Sequence, residues 1–210
     1  KIILATGSDF EKVKEQLGDE ILERVPYIFC CMGNELRTSQ DNIEYSKVFN
    51  ITDELRKELL FFLHSTEYPH KTGNHLEHRP GMLNFSIVGR NANMKERKRY
   101  SKWDEVNLER KYIANRLNET FPNLDAVLGG SISIDIIPKG NDKSQVIDYI
   151  RDYLYAGEIQ QIVFFGDRTD PGGNDYSIIK KAEFCKTIIC HPVTGPHETL
   201  EILKNSYFSP

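Results

Sequence analysis

The sequence is poor in the features that mark special classes of protein. Among 210 residues there are one tryptophan, three methionines and four cysteines. Cys30, Cys31, Cys185 and Cys190 include no Cys-x-x-Cys spacing, which excludes the common zinc and dithiol motifs. Cys30 and Cys190 fall within apolar runs, and the expectation there is a small buried hydrophobe. The longest unbroken apolar run spans residues 27–32, far short of the ~20 residues a membrane helix needs. No basic segment leads into an apolar stretch at the N-terminus, so no secretory signal is indicated. Neither sign of charge dominates: 27 Lys and Arg stand against 31 Asp and Glu, a net of −4, which removes any broad attraction for nucleic acid or anionic lipid. Repeats and low-complexity tracts are missing as well. These absences predict a soluble cytoplasmic protein with neither a nucleic-acid nor a membrane partner.

What is present is a globular composition, 39% hydrophobic with 14 glycines, in a chain long enough to bury a core. Residues 2–5 form a short β-prone run. Ser8 and Glu11 then have capping-box spacing, and Phe10, Val13 and Leu17 recur at helical period before Gly18. Residues 27–31 read as a buried strand, so the chain opens strand–helix–strand, which is α/β grammar. The texture then changes. Residues 52–64 read as a helix with an apolar stripe of Leu55, Leu59, Leu60 and Leu63, residues 82–89 as a strand, and residues 103–121 as one long helix capped by Ser101. Residues 131–137 alternate, with Ser131, Ser133 and Asp135 on one side and Ile132, Ile134 and Ile136 on the other. That pattern predicts an antiparallel α+β module with one wet sheet face. From Lys143 the α/β grammar resumes: a helix to about Tyr155, a strand at 161–165, a helix near 176–181, a strand at 187–190 and a last helix near 198–204. The predicted organisation is an α/β core, 1–48 and 140–210, interrupted by an α+β insertion, 49–139.

The strongest local signal is the loop 166–175, Gly-Asp-Arg-Thr-Asp-Pro-Gly-Gly-Asn-Asp, which leaves the C-terminal end of a very apolar strand. Open α/β sheets place ligands at that end, and the acidic loop offers the hard oxygen donors that Mg²⁺ prefers. The same residues also build ordinary polar turns. Thr6-Gly7-Ser8 ends another strand and opens a helix, a natural anion site, although Ser8 can equally serve as a plain N-cap. Lys143 stands at a helix start, where the dipole disfavours a cation. Arg79, Arg90 and Arg97 lie close in sequence within the insertion, and guanidinium forks match phosphate geometry. With Asn84 and Ser86 on one strand and Ser133 and Asp135 on another, they suggest a floor suited to a sugar phosphate; residues 95–99 also read as a solvated charge run. His70, His75 and His78 match no common zinc spacing and read as a polar connection.

Four ordered blocks resemble the eukaryotic-type phosphomannomutases of the haloacid dehalogenase superfamily. They are residues 1–18 with Thr6-Gly7-Ser8-Asp9-Phe10; Arg79-Pro80-Gly81-Met82-Leu83-Asn84 through Gly89-Arg90 and Arg97; Gly129-Gly130-Ser131-Ile132-Ser133-Ile134-Asp135 with Asp142-Lys143; and Phe164-Phe165-Gly166-Asp167 with Pro171-Gly172-Gly173-Asn174-Asp175. The resemblance implies a Rossmann-like core with an inserted cap, and interconversion of mannose 6-phosphate and mannose 1-phosphate through an aspartyl-phosphate enzyme. It implies Asp167, Asn174 and Asp175 at a Mg²⁺, and Lys143, Thr6 and Ser8 at the transferring phosphate. Arg79, Arg90, Arg97, Ser133 and Asp135 would bind the sugar and its second phosphate, and a homodimer would form through the cap domains. A sugar-phosphate phosphatase of the same superfamily and a non-catalytic sugar-phosphate-binding fragment are the alternatives. In the family, the nucleophile belongs to an Asp-x-Asp-Gly-Thr segment, and the sequence contains no Asp-x-Asp. The expectation is therefore a piece of a longer protein, inactive by itself. The family's usual Glu-Asn is replaced by Cys31-Met32, and Ile87 stands in place of a common proline.

Overall fold

A computed structural model describes residues 1–39 and 41–208. It divides into two compact units, Lys1–Asp142 and Lys143–Pro210.

The first unit begins with β1 (Ile3–Ala5), α1 (Phe10–Leu17), α2 (Asp19–Leu22) and β2 (Tyr27–Cys30), the two strands pairing in parallel. A hairpin of β3 (Glu35–Thr38) and β4 (Ile43–Ser46) extends the sheet antiparallel, in the order β1-β2-β3-β4. The cap of α1 lies one residue beyond the predicted Ser8: Asp9 accepts the Lys12 N–H at 2.9 Å. Ser8 instead donates its own N–H to Thr6 Oγ1 at 3.1 Å.

The chain continues through α3 (Asp53–Ser65), whose cap Thr52 accepts the Leu55 N–H at 3.2 Å. Next come β5 (Leu76–Arg79), β6 (Met82–Phe85), α4 (Met94–Asn107), α5 (Glu109–Thr120), β7 (Leu124–Gly129) and β8 (Ser133–Pro138). The four strands form an antiparallel sheet in the order β5-β6-β8-β7. Strand period 2 sends Leu83, Phe85, Ile134 and Ile136 to one face, where they pack with Leu55, Leu59, Tyr100, Ile113 and Leu117 of the helices.

Three expectations for this region are corrected. The long helix over 103–121 is two helices, α4 and α5, broken at Leu108, which adopts left-handed φ 54°. The first starts well before Ser101, because Asn93 accepts the N–H groups of Lys95 and Glu96 while Glu96 accepts the Asn93 N–H, a complete capping box. The strand predicted to reach Gly89 stops at Phe85, where Ser86 turns inward, donating to Ile132 O at 2.9 Å and accepting the Gly89 N–H. The predicted wet face is not wet. Asn84, Ser86, Ser133 and Asp135 are all buried, with Asp135 only 2% exposed; Ser131 alone of the predicted polar stripe faces solvent. On that second face Met82 and Ile137 pack with Phe10, Val13 and Ile28, so the polar groups between are enclosed.

The second unit contains α6 (Gln145–Tyr149), which continues as a wide helical turn over Ile150–Leu154, then β9 (Ile162–Gly166), α7 (Tyr176–Glu183), β10 (Ile188–Pro192) and α8 (Pro196–Ser206). β9 and β10 pair in parallel from Ile162↔Ile188 to Gly166↔Pro192. Ile147, Ile178 and Ile188 form the core, with Phe164 and a half-buried Cys190 against it. The helix begins at Gln145, so Lys143 precedes it and does not open it.

Candidate functional site

In the first unit, strand register builds a polar row. Glu77 of β5 lies opposite Asn84 of β6, and Asn84 opposite Asp135 of β8. Cross-strand partners share a face, so carboxylate, amide and carboxylate stand side by side. Asn84 Nδ2 donates to Asp135 Oδ1 at 2.6 Å, while Asn84 Oδ1 is buried and meets no hydrogen-bond donor. Space for Asp135 comes from Gly129: a Cβ there would lie 2.5 Å from Asp135 Oδ2. Ser133 donates its hydroxyl to Gly129 O at 2.9 Å, securing the same turn.

The predicted arginines divide into two roles. Arg79 and Arg90 come together at Glu77: Arg79 Nε donates to Glu77 Oε2 at 2.8 Å, and Arg90 Nε lies 3.3 Å from the same oxygen. Burial, then the charge of Arg79, lowers the Arg90 pKa from its ordinary value. Arg97 is committed elsewhere, donating from Nε to Ala92 O at 2.7 Å and from Nη2 to Arg90 O at 2.8 Å, so it braces the loop that carries Arg90.

Arg79 also reaches the loop after β1. Its Nη1 donates to Gly7 O at 3.3 Å, and Asp9 Oδ2 lies 3.4 Å from its Nε. That loop holds Thr6 and Ser8, and it is fixed by the turn that follows β2. Cys31 and Met32 adopt left-handed φ of 51° and 64°, which aims their N–H groups at Ser8 O and Thr6 O, both at 2.9 Å. Successive left-handed non-glycine residues are costly and concentrate where function needs a fixed backbone. Burial pushes the adjoining Cys30 thiol up to about 12.

In the second unit the loop after β9 folds back on itself. Lys143 Nζ lies 2.5 Å from Asp175 Oδ1 and 3.5 Å from Asn174 Oδ1; Lys143 and Asp175 are both buried. The Arg168 N–H donates to Asp175 Oδ2 at 3.1 Å, and the Asp175 N–H returns a bond to Arg168 O. Gly166 makes room for this carboxylate, since a Cβ there would lie 2.7 Å from Asp175 Oδ2. Asp167 is exposed at the rim. Asp167, Asn174 and Asp175 are oxygen donors only, as a hard cation requires. Among the described residues, no group of three or more His, Cys, Asp and Glu side chains is placed to hold a metal ion. Mg²⁺ itself usually takes only one or two carboxylates and completes its shell with water and substrate phosphate. In the histidine run, His75 Nδ1 contacts Ser86 O at 2.9 Å.

Sequence reasoning missed Glu77 and Asp9. Glu77-His78-Arg79 on a strand puts acid and base on one face, and that spacing was the available signal.

A family model described as eukaryotic phosphomannomutase matches residues 1–209. The phosphomannomutase of Arabidopsis thaliana is 35% identical over 212 residues, covering 97% of this chain and 81% of that protein. Among solved structures, the sucrose-phosphatase of Synechocystis superposes with a TM-score of 0.53 at 14% identity, over 97% of this chain and 74% of the other. A haloacid dehalogenase-like hydrolase from Bacteroides thetaiotaomicron gives 0.52 at 12% identity, over 85% and 71%. At such identities these two structures speak for the fold alone, a Rossmann-like α/β architecture.

Proposed function

The chain belongs to the eukaryotic phosphomannomutase family, and from that membership we infer how its residues share the work of interconverting mannose 6-phosphate and mannose 1-phosphate. It is an enzyme of the isomerase class that moves a phosphoryl group on a hexose phosphate. The observation that carries the assignment of residues is the enclosed polar face, where Arg79 and Arg90 meet above a buried Asn84–Asp135 pair.

A mutase must hold the far phosphate of a sugar while the near one reacts, then accept the same sugar reversed. Arg79 and Arg90 take the far phosphate, and a charged fork on a phosphate is the strong form of hydrogen bond. Asp135 accepts from a sugar hydroxyl, with Asn84 fixing its orientation and Ser133 fixing the turn beside it. Arg97 acts by holding the Arg90 loop in place. Thr6 and Ser8 offer hydroxyls suited to a phosphate, and Lys143 carries a positive charge of the kind that offsets phosphoryl charge. Phosphoryl transfer asks for positioning and charge stabilisation above all else, which is what such residues provide.

Phosphotransferases of the haloacid dehalogenase superfamily generally use Mg²⁺. Asp167, Asn174 and Asp175 are the residues to hold it; when bound, the ion neutralises phosphate charge. The α/β segments 1–48 and 140–210 serve as the core, residues 49–139 as a cap, and two copies pair through their caps. No helix among the described residues is long and apolar enough to cross a membrane.

The test uses the full-length protein with Mg²⁺, mannose 6-phosphate and a hexose bisphosphate activator, followed by ³¹P NMR. The 1-phosphate resonance is expected to grow until a fixed ratio is reached from either direction. Accumulation of inorganic phosphate with no 1-phosphate would overturn mutase activity.

A further inference from the structure

Two guanidinium groups on one enclosed face keep a single arrangement only if an acceptor between them holds both. Glu77 is placed to be that acceptor. Strand period 2 puts it on the same face as Arg79, and the β5–β6 register sets it in the transverse row with Asn84 and Asp135. One oxygen, Oε2, accepts from Arg79 Nε at 2.8 Å and from Arg79 Nη2, and lies 3.3 Å from Arg90 Nε. Arg90 Nε is buried and makes no hydrogen bond, so this ion contact offsets its burial. The Glu77 side chain is 28% exposed, against 8% for Arg79 and 18% for Arg90, so the carboxylate fastens both forks from the more open side.

We propose that Glu77 is a positioning residue for hexose-phosphate binding, holding Arg79 and Arg90 in one arrangement before the ligand arrives. This rests on reading the polar face as the sugar-phosphate grip. Arginine carries large rotamer freedom, and a phosphate that must order two such side chains binds more weakly than one that finds them ordered. Geometry, not net charge, is the contribution: removing a nearby anion alone would favour an incoming phosphate, so a deficit on shortening Glu77 must come from lost placement.

The experiment is calorimetric titration of the full-length protein with mannose 6-phosphate, comparing wild type with Glu77→Gln, Glu77→Asp and Glu77→Ala, with melting temperatures measured alongside. Glu77→Ala is expected to weaken Kd about tenfold, equivalent to about 1.4 kcal/mol. Glu77→Asp, one methylene too short to reach both arginines, is expected to lose nearly as much. Glu77→Gln keeps the accepting oxygen and should stay within threefold of wild type, a rescue that a purely structural role would not produce. Should Glu77→Ala fail to fold, the Asp and Gln pair carries the same contrast. The proposal is overturned if Glu77→Asp binds within twofold of wild type, or if Glu77→Gln is as weak as Glu77→Asp. A wild-type protein that binds no hexose phosphate removes both the grip and its positioning residue. Normal wild-type binding with unaffected variants removes Glu77 alone.

Discussion

The Lys143–Asp175 pair gives the sharpest stability test. The two charged atoms are 2.5 Å apart, and the side chains are 6% and 5% exposed. Replacing Lys143 by Met leaves a buried carboxylate without its cation, a change that typically costs about 3–5 kcal/mol. Asp175 keeps the N–H of Arg168 at 3.1 Å, so the expected loss is at the lower end, about 3 kcal/mol. In a chain of this length each kcal/mol moves the melting temperature by about 2–4 °C, so Lys143→Met should melt roughly 6–12 °C below wild type. The double variant Lys143→Met/Asp175→Leu removes both charges and restores an apolar fit; such replacements are often neutral or stabilising. It should therefore recover most of the loss, giving a coupling energy of about 2 kcal/mol or more in a double-mutant cycle followed by circular dichroism. Additive single effects, or a Lys143→Met protein melting within 2 °C of wild type, would refute the reasoning.

Gly129→Ala would place a Cβ 2.5 Å from Asp135 Oδ2 and force that side chain off its bond with Asn84. The expected result is a destabilisation of about 1–3 kcal/mol in urea with at least tenfold weaker hexose-phosphate binding by calorimetry; unchanged affinity would remove Asp135 from the sugar site. Glu109 accepts from the hydroxyls of Thr66 and Tyr100, yet burial outweighs both bonds and raises its pKa from the ordinary value. The folded state thus holds this proton more tightly than the unfolded chain, so stability falls as pH climbs from the ordinary carboxylate range through the raised value. Glu109→Gln should remove that fall, and its melting advantage over wild type should grow between pH 4 and pH 7; parallel curves would contradict it. Burial pushes the thiols of Cys30 and Cys31 upward, whereas the hydrogen bond to the Thr187 hydroxyl lowers Cys185. A disulfide reagent at pH 7.5 should modify Cys185 first, with that phase lost in Cys185→Ser and Cys30 and Cys31 reacting only after unfolding; equal rates for all four would be decisive against this ordering.

Much of the architecture is written in local pattern. Period-2 alternation over residues 131–137 identified β8, and the leucine stripe identified α3 to within a residue at each end. The acidic turn after an apolar strand pointed to the loop where Lys143 and Asp175 meet. The misreadings share one cause, which is that local rules allow several answers and tertiary contacts choose among them. Ser101 and Asn93 both have capping spacing, and the reciprocal bonds of Asn93 with Glu96 select the earlier start. Nothing in an alternating strand says whether its polar side meets water; Met82 and Ile137 packing with Phe10 and Ile28 encloses it.

The sequence by itself determined the chemistry available: an acidic turn with its lysine, arginines grouped in one stretch of the chain, and the order of blocks that marks the family. Residue type and spacing along the backbone suffice for that, because hydrophobic periodicity and turn chemistry are short-range. Only the tertiary structure decided which of those groups meet. Glu77 lies opposite Asn84 because β5 and β6 pair in one register, Arg90 reaches it from a loop tied back to Asn74, and Arg97 became a brace by donating to the Arg90 carbonyl of that loop. Electrostatic interaction depends on separation in space, and a few ångströms of approach across strands turn scattered charges into a site.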